Sequence, residues 1–171
     1  MIGVKRGTVR IESHSTEWTQ LFSIERQLIQ AIFKEKAIAI EHIGSTAISN
    51  LPAKPLIDIA ILVNEVDALS EEYKSLIEKG YVERVGRLEG KLKVFAKQSE
   101  ENIVSHHIHV IQKDEKDWEA KIKFRDSLLN DSELVNEYAQ LKISLQEKYP
   151  NERLKYTEGK NEFIQKVINQ I

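Results

Sequence analysis

Strand-like and helix-like patterning part company near residue 112, and this division limits the folds open to the chain more than any other feature. Before it lie runs rich in β-branched and alternating apolar residues, at 8–11, 37–43, 56–63, 81–85, 92–96 and 103–111, each of strand length. Two helical patterns interrupt them. Ser15 or Thr16 can cap a helix whose apolar positions Trp18, Leu21, Phe22, Leu28, Ile29, Ile32 and Phe33 follow a 3.6-residue period, and Asp67 opens another through Leu69, Tyr73, Leu76 and Ile77. Gly80 then stands where a left-handed residue ends a helix. From Asp114 onward the period is helical: one helix through Trp118, Ile122 and Leu129, one through Val135, Tyr138, Leu141 and Leu145, and a last one through Phe163, Ile164, Val167 and Ile168. The expected fold class is therefore α/β (α+β), a mixed sheet with flanking helices and a helical C-terminal region.

The length, 171 residues, fits one domain spanning 1–171, with a sheet-containing core at about 1–112 and helices over about 113–171. The breaks near Asn130-Asp131 and Pro150-Asn151 read as helix–helix turns. A net charge of −2 supplies no overall field for nucleic acid or anionic lipid, so any phosphate binding must be local. No nucleic-acid motif is present. Cysteine is absent, which excludes disulfides, thiolate chemistry and Cys-ligated metal, and leaves His, Asp and Glu as ligands. No apolar run approaches the ~20 residues of a membrane span, and the N-terminus lacks the apolar core of a signal peptide. A cytoplasmic protein with no membrane association is expected.

The segment richest in chemistry runs from Glu41 through His42, Gly44, Ser45 and Thr46 to Lys54 and Asp58. A glycine and serine after a strand let the backbone approach a ligand closely, with N–H groups and a hydroxyl to hold phosphate. An acidic residue entering the next strand can hold Mg²⁺ against that phosphate. The same residues also fit a plain turn beside a strand-edge carboxylate bonded to backbone.

This block resembles the signature of the GrpB family. The likeness continues through His106-His107-Ile108-His109-Val110, Trp118, Phe124-Arg125-Asp126, Tyr138, Leu141-Lys142, and Tyr156 to Lys160 and Phe163. The resemblance implies a nucleotidyltransferase-like fold. In that superfamily the Gly-Ser turn holds nucleotide phosphates, and a pair of carboxylates separated by one strand residue, with a third from a later strand, holds divalent metal. Asp58 matches the first carboxylate. The second position falls on Ala60, so the two-metal clamp is incomplete.

Substitutes stand nearby. Glu41 precedes the turn, and His107 and His109 share one face of their strand under period-two alternation. Asp58, Glu41, His107 and His109 form the expected metal set, with Asp58, His107 and His109 as the catalytic candidates. Imidazole ligands would move the preference from Mg²⁺ toward Mn²⁺ or Zn²⁺. Alternatively, the histidines serve proton transfer or phosphate binding, or simply a sheet face. His42 is a weaker candidate, and His14 reads as surface. Gly44, Ser45, Thr46, Lys54, Arg125 and Lys160 are the expected phosphate-binding residues. Arg125 and Lys160 share apolar helix faces, where each needs a carboxylate of the fold or a bound phosphate as partner. Trp118 and Tyr138 read as core.

The leading expectation is a protein that binds a nucleoside triphosphate with divalent metal and transfers a nucleotidyl group to an acceptor. The alternatives are a catalytically inactive nucleotide or phosphometabolite sensor and a metal-dependent phosphohydrolase.

Overall fold

The computed structural model describes residues 2–85 and 91–170; the extreme ends of the expected 1–171 unit and residues 86–90 lie outside that description. The strands are β1 (Val4–Lys5), β2 (Ala37–Ile43), β3 (Ile57–Val63), β4 (Tyr81–Glu83), β5 (Leu92–Gln98) and β6 (Ile103–Gln112). The helices are α1 (Glu17–Phe33), α2 (Ser70–Glu78), α3 (Lys116–Asn130), α4 (Ser132–Lys148), α5 (Arg153–Glu158) and α6 (Asn161–Asn169). The strands form one mixed sheet in the order β2-β3-β6-β5-β4, with β1 paired to the start of β6. Only the β3–β6 pair is parallel among the described pairings.

Two expectations need correction. Residues 8–11 form no strand, although their side chains favour one. Their backbone bonds go to scattered partners: Val9 N–H to Pro150 O at 2.9 Å and Ile11 N–H to Gln146 Oε1 at 2.6 Å, with Glu12 bridging Ala53. Propensity cannot make a strand where no sheet edge lies alongside. The N-terminal strand is instead Val4–Lys5, opposite Val104 and Ile103. The C-terminal region also holds the short α5 between the expected helices. The turn at Asn130-Asp131 is as expected: the Asp131 carboxylate accepts from Glu133 N–H at 2.9 Å and Leu134 N–H at 3.0 Å, capping α4.

Alternation along β3 and β6 gives the sheet two unlike faces. Ile57, Ile59, Ile61, Ile108 and Val110 point toward α1 and α2, where Trp18, Ile29, Phe33 and Leu76 complete the main core. Each such fully buried aliphatic contributes about 2 kcal/mol. On the opposite face, Ile43, Ala60 and Ile111 pack beneath Trp118 and Ile122 of α3. A third cluster joins Leu128, Val135 and Tyr138 to Ile48 and Leu51 of the loop before β3. That cluster fixes the C-terminal helices against the sheet and leaves a cleft between them and the start of β3.

Candidate functional site

Asp58 is the second residue of β3 and is in parallel register with His107, while Ala60 is opposite His109. Register and alternation therefore put Asp58, His107 and His109 on one face, as expected from the sequence. Asp58 Oδ1 accepts from His107 Nδ1 at 3.2 Å and lies 3.9 Å from His109 Nε2. One donor atom from each of the three residues falls within 4.8 Å of the others. Their side chains are 16–26% exposed, so they are sheltered but reachable. Burial opposes ionisation of Asp58, yet hydrogen bonds from the imidazoles hold its carboxyl far below the usual carboxylate range. Burial likewise lowers His109, against the pull of Asp58, and this favours a neutral imidazole. An ionised carboxylate with two clustered imidazoles, one of them favoured neutral, is a donor set that fits a divalent transition metal.

Gly44 closes the site from the side of β2. Its φ of 70° and ψ of −174° belong to a region almost restricted to glycine, and a Cβ there would lie 2.6 Å from Asp58 Oδ2. Gly44 is therefore required both by its own backbone and by the approach of the carboxylate. Ser45 follows it on the cleft wall. Thr46 also lines the cleft, but its hydroxyl is committed: it donates to Leu56 O at 3.0 Å and meets His42 Nε2 at 3.0 Å. Its single proton goes to the carbonyl, so His42 donates to it, as a neutral imidazole. Burial pushes His42 down to about 4, despite nearby Asp58, and its ring stacks on Phe22 with centroids 4.6 Å apart. Thr46 and His42 thus brace the turn against the start of β3.

The cleft, of about 430 Å³, runs from this cluster to α4, α5 and α6. Lys54, Lys142, Arg153 and Lys160 line it, and none of these cations has a carboxylate partner among the described residues. Lys142 is 1% exposed, with its ammonium hydrogen-bonded to Pro52 O and 4.9 Å from the Tyr138 ring centroid. Lys160 and Lys54 lie 4.7 and 5.4 Å from the Tyr156 ring. Burial, reinforced by Lys160 and Lys54, pushes Lys142 down to about 7; burial, reinforced by Lys54, pushes Lys160 down to about 8. A buried cation such as Lys142 is costly without an anion.

Two expected members stand apart. Glu41 is on the correct face but is opposite Ala60, beneath α3, where its Oε2 meets Arg125 Nη1 at 2.6 Å. Arg125 also donates to His42 O at 3.1 Å and to Asp126 Oδ1 at 2.8 Å. The carboxylate partner anticipated for Arg125 is therefore Glu41, and neither residue lines the cleft. Ala60 is fully buried in the apolar cluster under Trp118 and Ile122, so packing occupies the place a second carboxylate would need.

Lys142 and Arg153 are not among the residues that the sequence marks for phosphate. Lys142 follows Tyr138 by four residues, a same-face spacing that could have flagged it; Arg153, at the start of the short α5, carries no such signal.

Similarity to known proteins agrees with the architecture. The chain is 38% identical to the glutamate-rich protein GrpB of Alkalihalophilus pseudofirmus over the full length of both. It is 32% identical to YqkA of Bacillus subtilis over 91% of this chain and 45% of that protein. The crystal structure of conserved protein GrpB from Enterococcus faecalis superposes with a TM-score of 0.86 at 26% identity, covering 94% of this chain and 96% of that one. Cid1 poly(U) polymerase matches with a TM-score of 0.56 at 12% identity over 81% of this chain and 43% of that one, a likeness of fold. The fold is nucleotidyltransferase-like. With the model of the GrpB protein family matching residues 8–170, the chain belongs to the GrpB family.

Proposed function

We propose that the cleft binds a nucleoside triphosphate together with a divalent metal and transfers its nucleotidyl group to a hydroxyl acceptor. The observation that carries this reading is the convergence of Lys54, Lys142, Arg153 and Lys160, all without carboxylate partners among the described residues, on the cleft that holds Asp58, His107 and His109. Lysine ammonium groups and an arginine fork suit a polyphosphate. Asp58, His107 and His109 would hold the metal, which when bound neutralises phosphate charge. Two imidazoles beside one carboxylate favour Mn²⁺ over Mg²⁺, with Zn²⁺ also compatible.

In the transfer, the acceptor oxygen bonds to the α-phosphorus while the bond from that phosphorus to the β-phosphate oxygen breaks, and pyrophosphate leaves with the electron pair. Asp58, held ionised, is a weak proton acceptor, so the hydroxyl proton passes to water. Lys142 and Lys160 stabilise charge on the departing pyrophosphate, and Gly44 lets the Asp58 carboxylate lie against the turn.

One observation favours a second reading, binding without turnover: Ala60 is sealed in an apolar cluster where a second carboxylate would be required. Pyrophosphate release separates the two readings. Purified protein with each ribonucleoside triphosphate and Mn²⁺, in the presence of candidate hydroxyl acceptors, should release pyrophosphate, and Asp58→Asn should reduce this by at least a hundredfold. Tight nucleotide binding with no release establishes the second reading, and absence of binding by all four triphosphates rejects both.

A further inference from the structure

Beyond the imidazoles the cleft opens into a second cavity of about 320 Å³, which shares His107, His109, Leu56, Lys54 and Arg153 with the first. Its charged lining otherwise consists of Lys5, Arg6 and Arg84, and no carboxylate lines it among the described residues. These cations come from distant parts of the chain: β1 and the turn after it, the loop before β3, the residue after β4, and the first turn of α5. None forms an ion pair among the described residues; Arg84 is held by a hydrogen bond to the Gln98 side-chain oxygen. The chain as a whole carries −2, so this local excess does not follow from composition.

Like charges brought together without a counter-charge repel, and a bound anion removes that repulsion. Arginine forks supply the bidentate geometry that phosphate accepts. The cavity also presents apolar surface, from Val94 and Val104 on the sheet, against which a carbon framework can rest. Its cations surround a pocket, an arrangement suited to a small molecule more than to a polymer backbone.

We infer that this second cavity is the acceptor subsite and takes a small phosphorylated molecule, its phosphate held by Arg6 and Arg84 and its hydroxyl directed toward Asp58, His107 and His109. The inference rests on the transferase reading above, because it assigns the other cavity to the triphosphate. The shared imidazole wall would place both substrates beside the same cluster.

The test is calorimetry on protein saturated with a nonhydrolysable nucleoside triphosphate analogue and Mn²⁺, titrated with glycerol 3-phosphate. The expected result is binding of one further equivalent, weakened at least tenfold in the double variant Arg6→Ala, Arg84→Ala, with affinity for the analogue changed less than twofold. Arg6→Ala alone, on an exposed turn, serves if the double variant does not fold. No binding of glycerol 3-phosphate to the saturated wild-type protein overturns the inference while leaving nucleotide binding intact. An equal loss of both ligands overturns it too, since the cavities would then be one site. Preferential binding of a short single-stranded RNA, lost in the same variants, replaces the small acceptor with a polymer. If the analogue itself fails to bind, the transferase reading falls. Glycerol 3-phosphate titrated into the free protein then decides the subsite alone: loss in the variant supports an anion site, and unchanged binding ends the idea.

Discussion

On the sheet face covered by α1 and α2, the buried carboxylate of Glu25 accepts from Tyr81 Oη at 2.8 Å and from Lys97 Nζ at 3.0 and 3.1 Å, so its charge is met within the fold. On the opposite face, Lys54, Lys142, Arg153 and Lys160 converge on the cleft with no such partner among the described residues. The same strands serve both faces: β6 sends His106 toward Glu25 and His107 and His109 toward Asp58. The contrast separates charge met by a carboxylate within the fold from charge with no such partner among the described residues. It also explains why Lys97 and Lys93, on the strand beside the histidines, lie outside the site. They point to the other face, paired with Glu25 and Glu83.

Breaking the satisfied side should give the largest change in stability. Glu25→Leu leaves the buried Tyr81 hydroxyl without its acceptor and Lys97 without its carboxylate, and should cost about 3 kcal/mol in urea unfolding, with nucleotide affinity unchanged. Gly44→Ala touches both structure and site. The glycine-only backbone and the clash with Asp58 should cost about 2 kcal/mol and weaken Mn²⁺ binding, read by calorimetry. The smallest effect sharpens the contrast through pH. Lys142, at about 7 in the free protein against the ordinary lysine value when unfolded, prefers to be neutral in the fold, so its contribution to stability rises as pH rises above 7. A bound polyphosphate favours the protonated form. Binding should therefore take up a proton near pH 8, and affinity should fall severalfold between pH 7 and 9.5, measured by calorimetry in buffers of differing ionisation enthalpy.

Much of the fold could be read from period alone, because α1, β2, β3 and β6 are long, regular and bounded by clear turns. Alternation also placed His107 and His109 together, since a strand has no other way to arrange i and i+2. The remainder depended on tertiary partners. Residues 8–11 look like a strand but meet α4 and a loop, while the two-residue β1 is too short to signal itself. Glu41 and Arg125 each looked available for a ligand; their pairing joins β2 to α3 and has no trace in either local pattern. Lys142 was hidden among the apolar positions of α4, and only its burial beside Lys54 and Lys160 reveals an uncompensated charge.

Parallel measurement of unfolding free energy and nucleoside triphosphate affinity in Lys142→Met tests most directly whether Lys142 is buried for a ligand or for the fold. The expected result is at least a tenfold loss of affinity in the presence of Mn²⁺, with stability unchanged or raised by about 1 kcal/mol as a buried amine whose protonation the fold disfavours is removed. Unchanged affinity together with a stability loss of about 2 kcal/mol or more would make Lys142 a structural residue and contradict the account.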